Sequence, residues 1–331
     1  MRRREFLLSP FCLPFFASSV RGQSGLARLG VLSPDSPPSV DLASGSPLSM
    51  FIRDLQELGY VEGRNIRIEF RFAENQLDRL PALASELVAW GPNVIYTYTS
   101  GGAQAAANAT KSIPIVVGPA GEAVLLALAG NLAHPTGNIT GLSLEGPGQY
   151  EKCLELLKEM APRLERIGVL VNPDNPAWAD YPATLNPAAV QLGLTLVRVA
   201  SRGSVDIDRT LVALETEKID ALLVVNDSTF DLDGRIGGPL IESVRQRHLP
   251  SASTAYSYAR NGGLLSLGTD QEYVRRRAAE YVRRIIEGAR PGDLPIERPA
   301  KFTLVINLMT ANLIGITLPT AILVRADEVI E

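Results

Sequence analysis

Short apolar runs alternate with amphipathic stretches along most of the chain, and the runs stop at turn-forming residues. Arg28-Leu29-Gly30-Val31-Leu32-Ser33 ends at Pro34, and Arg166-Ile167-Gly168-Val169-Leu170-Val171 ends at Asn172-Pro173. Each predicts a buried parallel strand followed by a loop. Between the strands lie helical patterns with readable stops. Residues 77–90 place Leu80, Leu83, Leu87 and Val88 at helical spacing and end at Gly91-Pro92. Asp270 is positioned to cap a helix that runs through Glu287 and ends at Gly288 and Pro291, with Tyr273, Ala278, Tyr281 and Ile285 on one face.

The pattern occurs twice. Arg28 to Pro37 returns as Arg166 to Pro176 with one inserted residue. Glu57-Leu58-Gly59 closes the helix before strand 66–72, and Gln191-Leu192-Gly193 does the same before strand 194–199, each Gly serving as a left-handed cap. Residues 93–98 pair with 220–225, Ile113-Pro114-Ile115 with Leu249-Pro250-Ser251, and strand 138–143 with strand 263–267, all in the same order. Collinear β-α units of this kind predict two similar Rossmann-like lobes with parallel sheets, joined by a hinge. Ligands of such sheets bind beyond the carboxyl ends of the strands, so two facing lobes make a cleft. The expected division is lobe 1 over residues 26–142, with a returning segment near 268–297, and lobe 2 over 143–265. Segment 298–331 packs on one lobe or the other.

The chain has 331 residues, of which 46% are hydrophobic, enough to bury the cores of two ordinary domains. Residues 1–22 run from Arg2-Arg3-Arg4 through Phe6-Leu7-Leu8 to Val20-Arg21-Gly22, the order of a signal peptide removed near Gly22. Arg3-Arg4-Glu5-Phe6-Leu7 also matches the twin-arginine export pattern, and export implies a periplasmic location. Without the leader, 28 basic residues face 35 acidic ones, a poor surface for nucleic acid or anionic lipid. Cys12 lies in the leader, so Cys153 is left alone and no internal disulfide is expected. His134 and His248, the only histidines, stand shortly before prolines and read as structural. The Arg-rich stretches 275–277 and 283–284 read as a solvated helix face with Glu partners.

Candidate ligand groups sit at the predicted strand ends, where a few hydrogen-bonding residues on an apolar frame suit a small solute. Ser33 and Ser36 in lobe 1 have Asn172 and Asn175 as repeat partners; turn formation explains each singly, and the repetition favours contact. Thr99-Ser100-Gly101-Gly102 precedes the Ala-rich helix 103–110, whose free amides and positive end suit a carboxylate, with Ser100 as the expected cap. The matching loop of lobe 2 holds Asn226-Asp227-Ser228, where Asp227 can meet a ligand ammonium or cap a helix. Among the aromatics Tyr98, Trp178, Phe230, Tyr256 and Tyr258, Tyr256 is the preferred stacking residue.

Several segments carry a family likeness. Arg2-Arg3-Arg4-Glu5-Phe6, Leu55-Gln56-Glu57-Leu58-Gly59-Tyr60-Val61-Glu62-Gly63, Asp78-Arg79-Leu80-Pro81-Ala82-Leu83-Ala84, Gly137-Asn138-Ile139-Thr140-Gly141-Leu142-Ser143 and Arg325-Ala326-Asp327-Glu328-Val329-Ile330-Glu331 are collinear with that pattern. The chain resembles the ABC-transporter substrate-binding proteins of the tryptophan-binding type, which have the type I periplasmic-binding fold. The resemblance implies a small organic solute, an amino acid or related carboxylate among the candidates, and a membrane permease and ATPase as partners. It also implies a monomer without cofactor, metal or catalytic residues. Glu122-Ala123 stands where relatives usually have Asp-Pro, Thr99 to Gly102 replaces a Gly-Thr-Pro-Ala turn, and Leu267 replaces a common Tyr. The Glu122 position therefore joins the candidate ligand residues.

Three other readings compete. An enzyme would need a phosphate loop, a dinucleotide fingerprint or a nucleophile motif, and Gly141-Leu142-Ser143-Leu144-Glu145 misses the final Gly of the last. A regulator on the same fold would need a DNA-binding helix pair where the leader stands. A ligand-bound feeder of a membrane sensor shares every feature above.

Overall fold

The computed structural model describes residues 25–37, 46–74, 76–173, 181–202, 206–227, 230 and 237–331. The leader, Asn175, Trp178 and Ser228 lie outside the described residues.

The first lobe is built on β1 (Ala27–Ser33), β2 (Ile66–Phe72), β3 (Val94–Thr97), β4 (Ile115–Ala120) and β5 (Ile139–Ser143). All pair in parallel in the order β2-β1-β3-β4-β5. The connections are α1 (Pro47–Glu57), α2 (Leu80–Trp90), α3 (Ser100–Ala109) and α4 (Glu122–Ala129). In the second lobe α5 (Gln149–Met160), α6 (Tyr181–Gln191), α7 (Ile207–Thr216) and α8 (Gly237–Gln246) alternate with β6 (Arg166–Val171), β7 (Thr195–Ala200), β8 (Ala221–Val224), β9 (Ser251–Ser253) and β10 (Leu265–Thr269). The order β7-β6-β8-β9-β10 repeats that of the first lobe. The paired glycine caps share their conformation too, with φ of +90° at Gly59 and +64° at Gly193.

Beyond β10 the chain returns to the first lobe as α9 (Gln271–Ile286). Asp270 caps it by accepting from the Tyr273 amide. Val274, Ala278, Tyr281, Val282 and Ile285 of α9 join Phe51, Leu55, Val94 and Val116 in one core, so α1 and α9 cover one face of the first sheet. Leu80, Leu87, Ala103, Ala106 and Leu125 build a separate core on the other face. The chain then re-enters the second lobe through β11 (Phe302–Asn307), antiparallel to β10, and continues as α10 (Leu308–Leu313), α11 (Thr320–Arg325) and β12 (Glu328–Ile330). Ala311, Ile314 and Ile322 are buried in the second-lobe core.

The chain therefore crosses between lobes three times. Two crossings follow β5 and β10. The third, from Glu297 to Phe302, has no counterpart in the repeat, because nothing in the first half matches the last segment. The crossings are tied together: the Ser143 amide donates to the Glu297 carbonyl at 2.8 Å, and Thr269 Oγ1 donates to the Leu144 carbonyl at 2.7 Å. One further difference from the sequence pattern is local. The stretch beginning at Leu77 opens with a 3-10 turn, Leu77–Arg79, and becomes α-helical at Leu80, where Pro81 takes a first-turn position that needs no amide.

Candidate functional site

In both sheets the strand order reverses direction at one point, between β1 and β3 in the first lobe and between β6 and β8 in the second. Connections leave such a point on opposite faces and open a crevice at the carboxyl ends. The candidate residues Ser33, Thr99, Asn172 and Asp227 all lie at these two points.

At the first, Ser33 is fully buried and its hydroxyl is engaged internally. The Tyr98 hydroxyl donates to Asp35 Oδ2 at 2.7 Å, so Ser33 Oγ, also 2.7 Å away, donates its own proton to Tyr98 and accepts from the Asp35 amide. Burial, and then the Asp35 charge, push the Tyr98 hydroxyl far above its ordinary pKa. The buried Ser33 thus holds Tyr98, and half-buried Tyr98 holds exposed Asp35 at the end of the strands.

The next residue, Thr99, has φ +73° and ψ 152°, a backbone state that a β-branched side chain rarely adopts. Surroundings impose it: the Thr99 amide donates to the Pro119 carbonyl at 2.9 Å, while Thr99 Oγ1 accepts from the Gly102 amide at 3.3 Å and caps α3. The cap is therefore Thr99 and not Ser100, and α3 starts three residues earlier than the Ala-rich run indicates. Ser100, the first helical residue, accepts from the Gly121 amide at 3.1 Å and so laces the start of α3 to the start of α4. Gly102 is required by a close approach, since a Cβ there would collide with Thr97 Oγ1. The first intrahelical bond runs from the Ala103 amide to the Thr99 carbonyl. The amides of Ser100 and exposed Gly101 precede it and lie at the positive end of the helix.

In the second lobe, Asn172 follows β6 and Asp227 follows β8. Asn172 Nδ2 donates to Asp227 Oδ1 at 3.5 Å, the long end of a hydrogen bond, and Asp227 is 6% exposed. Between the lobes, on the crossing after β5, stands Glu145. Its Oε2 accepts from the Glu122 amide at 3.2 Å. Burial pushes its carboxyl up to about 7; amide hydrogen bonds oppose the shift, and the charges of Glu122 and Asp227 add to it. Its surface stays partly open, so the group is recessed in the cleft rather than sealed in a core. Tyr150, on the first turn of α5, lies beside Glu145, Thr254 and Asn226, and its hydroxyl is raised well above its ordinary pKa by burial and then by Glu145.

The remaining candidates are placed differently. The Glu122 carboxylate takes a bidentate pair of bonds, both 2.5 Å, from Arg298 on the third crossing, so it faces the hinge. Tyr256 is half-buried with the Arg260 guanidinium 3.8 Å over its ring, and Arg260 in turn pairs with Glu328 of β12. Phe230 and Tyr258 are core residues, while Tyr98 reaches the strand ends. Both histidines are exposed on loops, and Cys153 is buried in α5. Sequence reasoning missed Glu145, Tyr150 and the Tyr98–Asp35 bond. The available signal for Glu145 was its place two residues beyond a predicted hinge strand. Among the described residues no group of His, Cys, Asp and Glu is arranged to hold a metal ion, and no helix is long and apolar enough to cross a membrane.

Two lobes that share a five-strand order, crossed three times and carrying polar strand ends toward one cleft, are matched over residues 37–330 by the family of ABC transporter substrate binding proteins. The chain belongs to that family. It is 29% identical over 271 residues to the tyrosine-binding protein of Clostridioides difficile strain R20291, covering 82% of this chain and 75% of that one. A domain from Streptococcus pneumoniae solved in complex with L-Trp has TM-score 0.81 and 28% identity, over 92% of this chain and all of that one. A conserved domain protein from Vibrio cholerae O1 biovar eltor has TM-score 0.80 and 30% identity at the same coverage. The family and these structures establish a two-lobed, type I substrate-binding fold.

Proposed function

We propose that this protein is the exported solute-binding component of an ABC-type importer and that it captures an amino acid in the cleft without changing it chemically. The observation that carries this reading is the pairing of unlike groups at equivalent strand ends. The start of α3 offers amides and a positive helix end, and the end of β8 offers the recessed carboxylate of Asp227 beside Asn172. A zwitterion satisfies both, with its carboxylate at Thr99-Ser100-Gly101 and its ammonium at Asp227. The names of the two relatives that bind tyrosine and L-Trp agree with an amino-acid ligand. Tyr98, held by Ser33 and Asp35, lies beside that turn and supplies an aromatic edge. Asn172 fixes the Asp227 carboxylate, and Glu122 acts through its amide and through Arg298 at the hinge. Tyr256 completes the proposed lining from lobe 2. The leader delivers the chain to the periplasm, where a membrane permease and ATPase receive the closed, monomeric complex.

A thermal-shift and calorimetric screen of the twenty amino acids on the chain lacking residues 1–22 tests this. A true ligand present at 100 times its Kd adds about 2.7 kcal/mol of stability. Stabilisation by one or a few amino acids, with aromatic ones foremost, is expected; a flat response to all twenty overturns the amino-acid reading.

A further inference from the structure

Glu145 belongs to neither lobe. It sits on the crossing between β5 and α5, touches the first lobe through the Glu122 amide at 3.2 Å, and feels the Asp227 charge and the Tyr150 hydroxyl of the second. Among the described residues, the charges that act on it most strongly are those of Glu122 at the start of α4 and Asp227 beyond β8, and the Tyr150 phenol on α5 lies beside it. Arg298 acts on it at one remove, because its guanidinium is spent on the Glu122 carboxylate. Among the described residues no Lys or Arg forms an ion pair with Glu145. A hinge built only for strength has no need of a recessed carboxylate without a cation, since the desolvation cost is uncompensated. That cost is offset when a cation enters the cleft.

We propose that Glu145 is a specificity-determining residue of the ligand cleft, one that gives up a proton to bulk water when the ligand's cationic group docks between it and Asp227. The proposal rests on the amino-acid reading above and deepens it. With its carboxyl raised to about 7, Glu145 is about half protonated at pH 7 before a ligand enters. On docking, the O–H bond of Glu145 breaks, the proton passes to water, and the carboxylate and ammonium form a charge-assisted contact. A neutral or purely anionic solute gains nothing from this step, and the like charges at Glu145 and Asp227 repel an anion. The same linkage makes capture tighter as pH rises toward neutrality, because protons compete with the ligand cation.

Isothermal titration of L-tryptophan and L-tyrosine into the chain lacking residues 1–22, in two pH 7 buffers of different ionisation enthalpy, counts the protons released. The parent is expected to release roughly half a proton per ligand at pH 7, and its affinity is expected to fall on the order of 10-fold between pH 7.5 and 5.5. In Glu145→Gln the proton count should drop to zero and the pH slope should flatten, while Glu145→Asp retains part of both. Carbon-13 NMR of the Glu carboxyls, without ligand, should find one group titrating near neutrality in the parent that is missing from Glu145→Gln. If the parent binds none of the twenty amino acids, the amino-acid reading falls and takes this proposal with it. If the parent binds one but releases no proton, or if Glu145→Gln keeps the parent's pH slope, the proposal alone is overturned and the amino-acid reading stands. A Glu145 carboxyl that titrates in the ordinary range also overturns the proposal alone.

Discussion

Asn172 Nδ2 donates to Asp227 Oδ1, joining the ends of β6 and β8 at the point where the Ser33 and Tyr98 hydroxyls, 2.7 Å apart, join the ends of β1 and β3. The two lobes thus use one architectural position for different chemistry. In the first lobe the bond fixes a phenol whose proton is committed to Asp35; in the second it fixes a carboxylate. Duplication supplies the scaffold, and the residues at the two switch points make the cleft chemically asymmetric, which a zwitterion requires.

Asp227→Asn removes the charge and keeps the shape. Binding of the natural amino acid should weaken by about 100-fold or more, in line with the ~3–5 kcal/mol lost when one partner of a recessed charge pair is removed. The unliganded melting temperature should move little, because Asn retains an oxygen for Asn172 Nδ2. Calorimetry with parallel thermal melts separates the two quantities. Unchanged affinity would remove Asp227 from the ligand site.

Thr99 holds φ +73° at the start of α3, a strained state costing about 1–3 kcal/mol in a β-branched residue. Glycine adopts that state freely and replaces a cap at a cost of only a few tenths of a kcal/mol. Thr99→Gly should therefore raise stability by about 1 kcal/mol in urea titration. It should also weaken ligand binding, since the backbone that presents the Ser100 and Gly101 amides loses its rigidity. A variant that is less stable than the parent would show that the Thr99 side chain contributes more than its strain costs.

The three crossings lie side by side and are joined by bonds such as Ser143 N to Glu297 O at 2.8 Å, so the lobes can rotate without either core being disturbed. Small-angle scattering should show a smaller radius of gyration with saturating ligand than without it. An unchanged radius across a proven binding titration would mean a rigid site.

The parallel strands and their succession along the chain were legible because buried parallel strands write continuous apolar runs, and the second copy of each run matched the first. Gly59 and Gly193 were legible for the same reason, since a left-handed cap leaves a residue that few others can replace. The third crossing was not, because segment 298–331 has no repeat partner and its strands are short. At the cleft, sequence located the loops but not the direction of each side chain. Ser33 read as a contact residue and is buried under Tyr98; Ser100 read as a cap and instead binds the neighbouring loop. Glu145 escaped notice because its meaning comes from three residues distant in sequence: Glu122, Asp227 and, through Glu122, Arg298. Only the meeting of the lobes brings these together.

Glu145 also leaves a signature in stability that needs no ligand. Its carboxyl is raised from 4.5 to about 7 in the folded protein, with burial as the leading cause. Between those values the unfolded chain releases the proton while the folded chain keeps it. The folded state therefore binds more protons, and its stability falls as pH rises through this window. Above about pH 7 both states are ionised and the loss is complete, at most about 3 kcal/mol. Gln at this position can accept the Glu122 amide and cannot titrate. Glu145→Gln should thus match the parent near pH 4.5 and exceed it increasingly up to pH 8, where the advantage should reach on the order of 2–3 kcal/mol. Urea titrations at pH 5, 6, 7 and 8 read this directly. A constant offset between the two proteins across the series would mean that Glu145 ionises like a surface carboxylate, and that the hinge does not confine it.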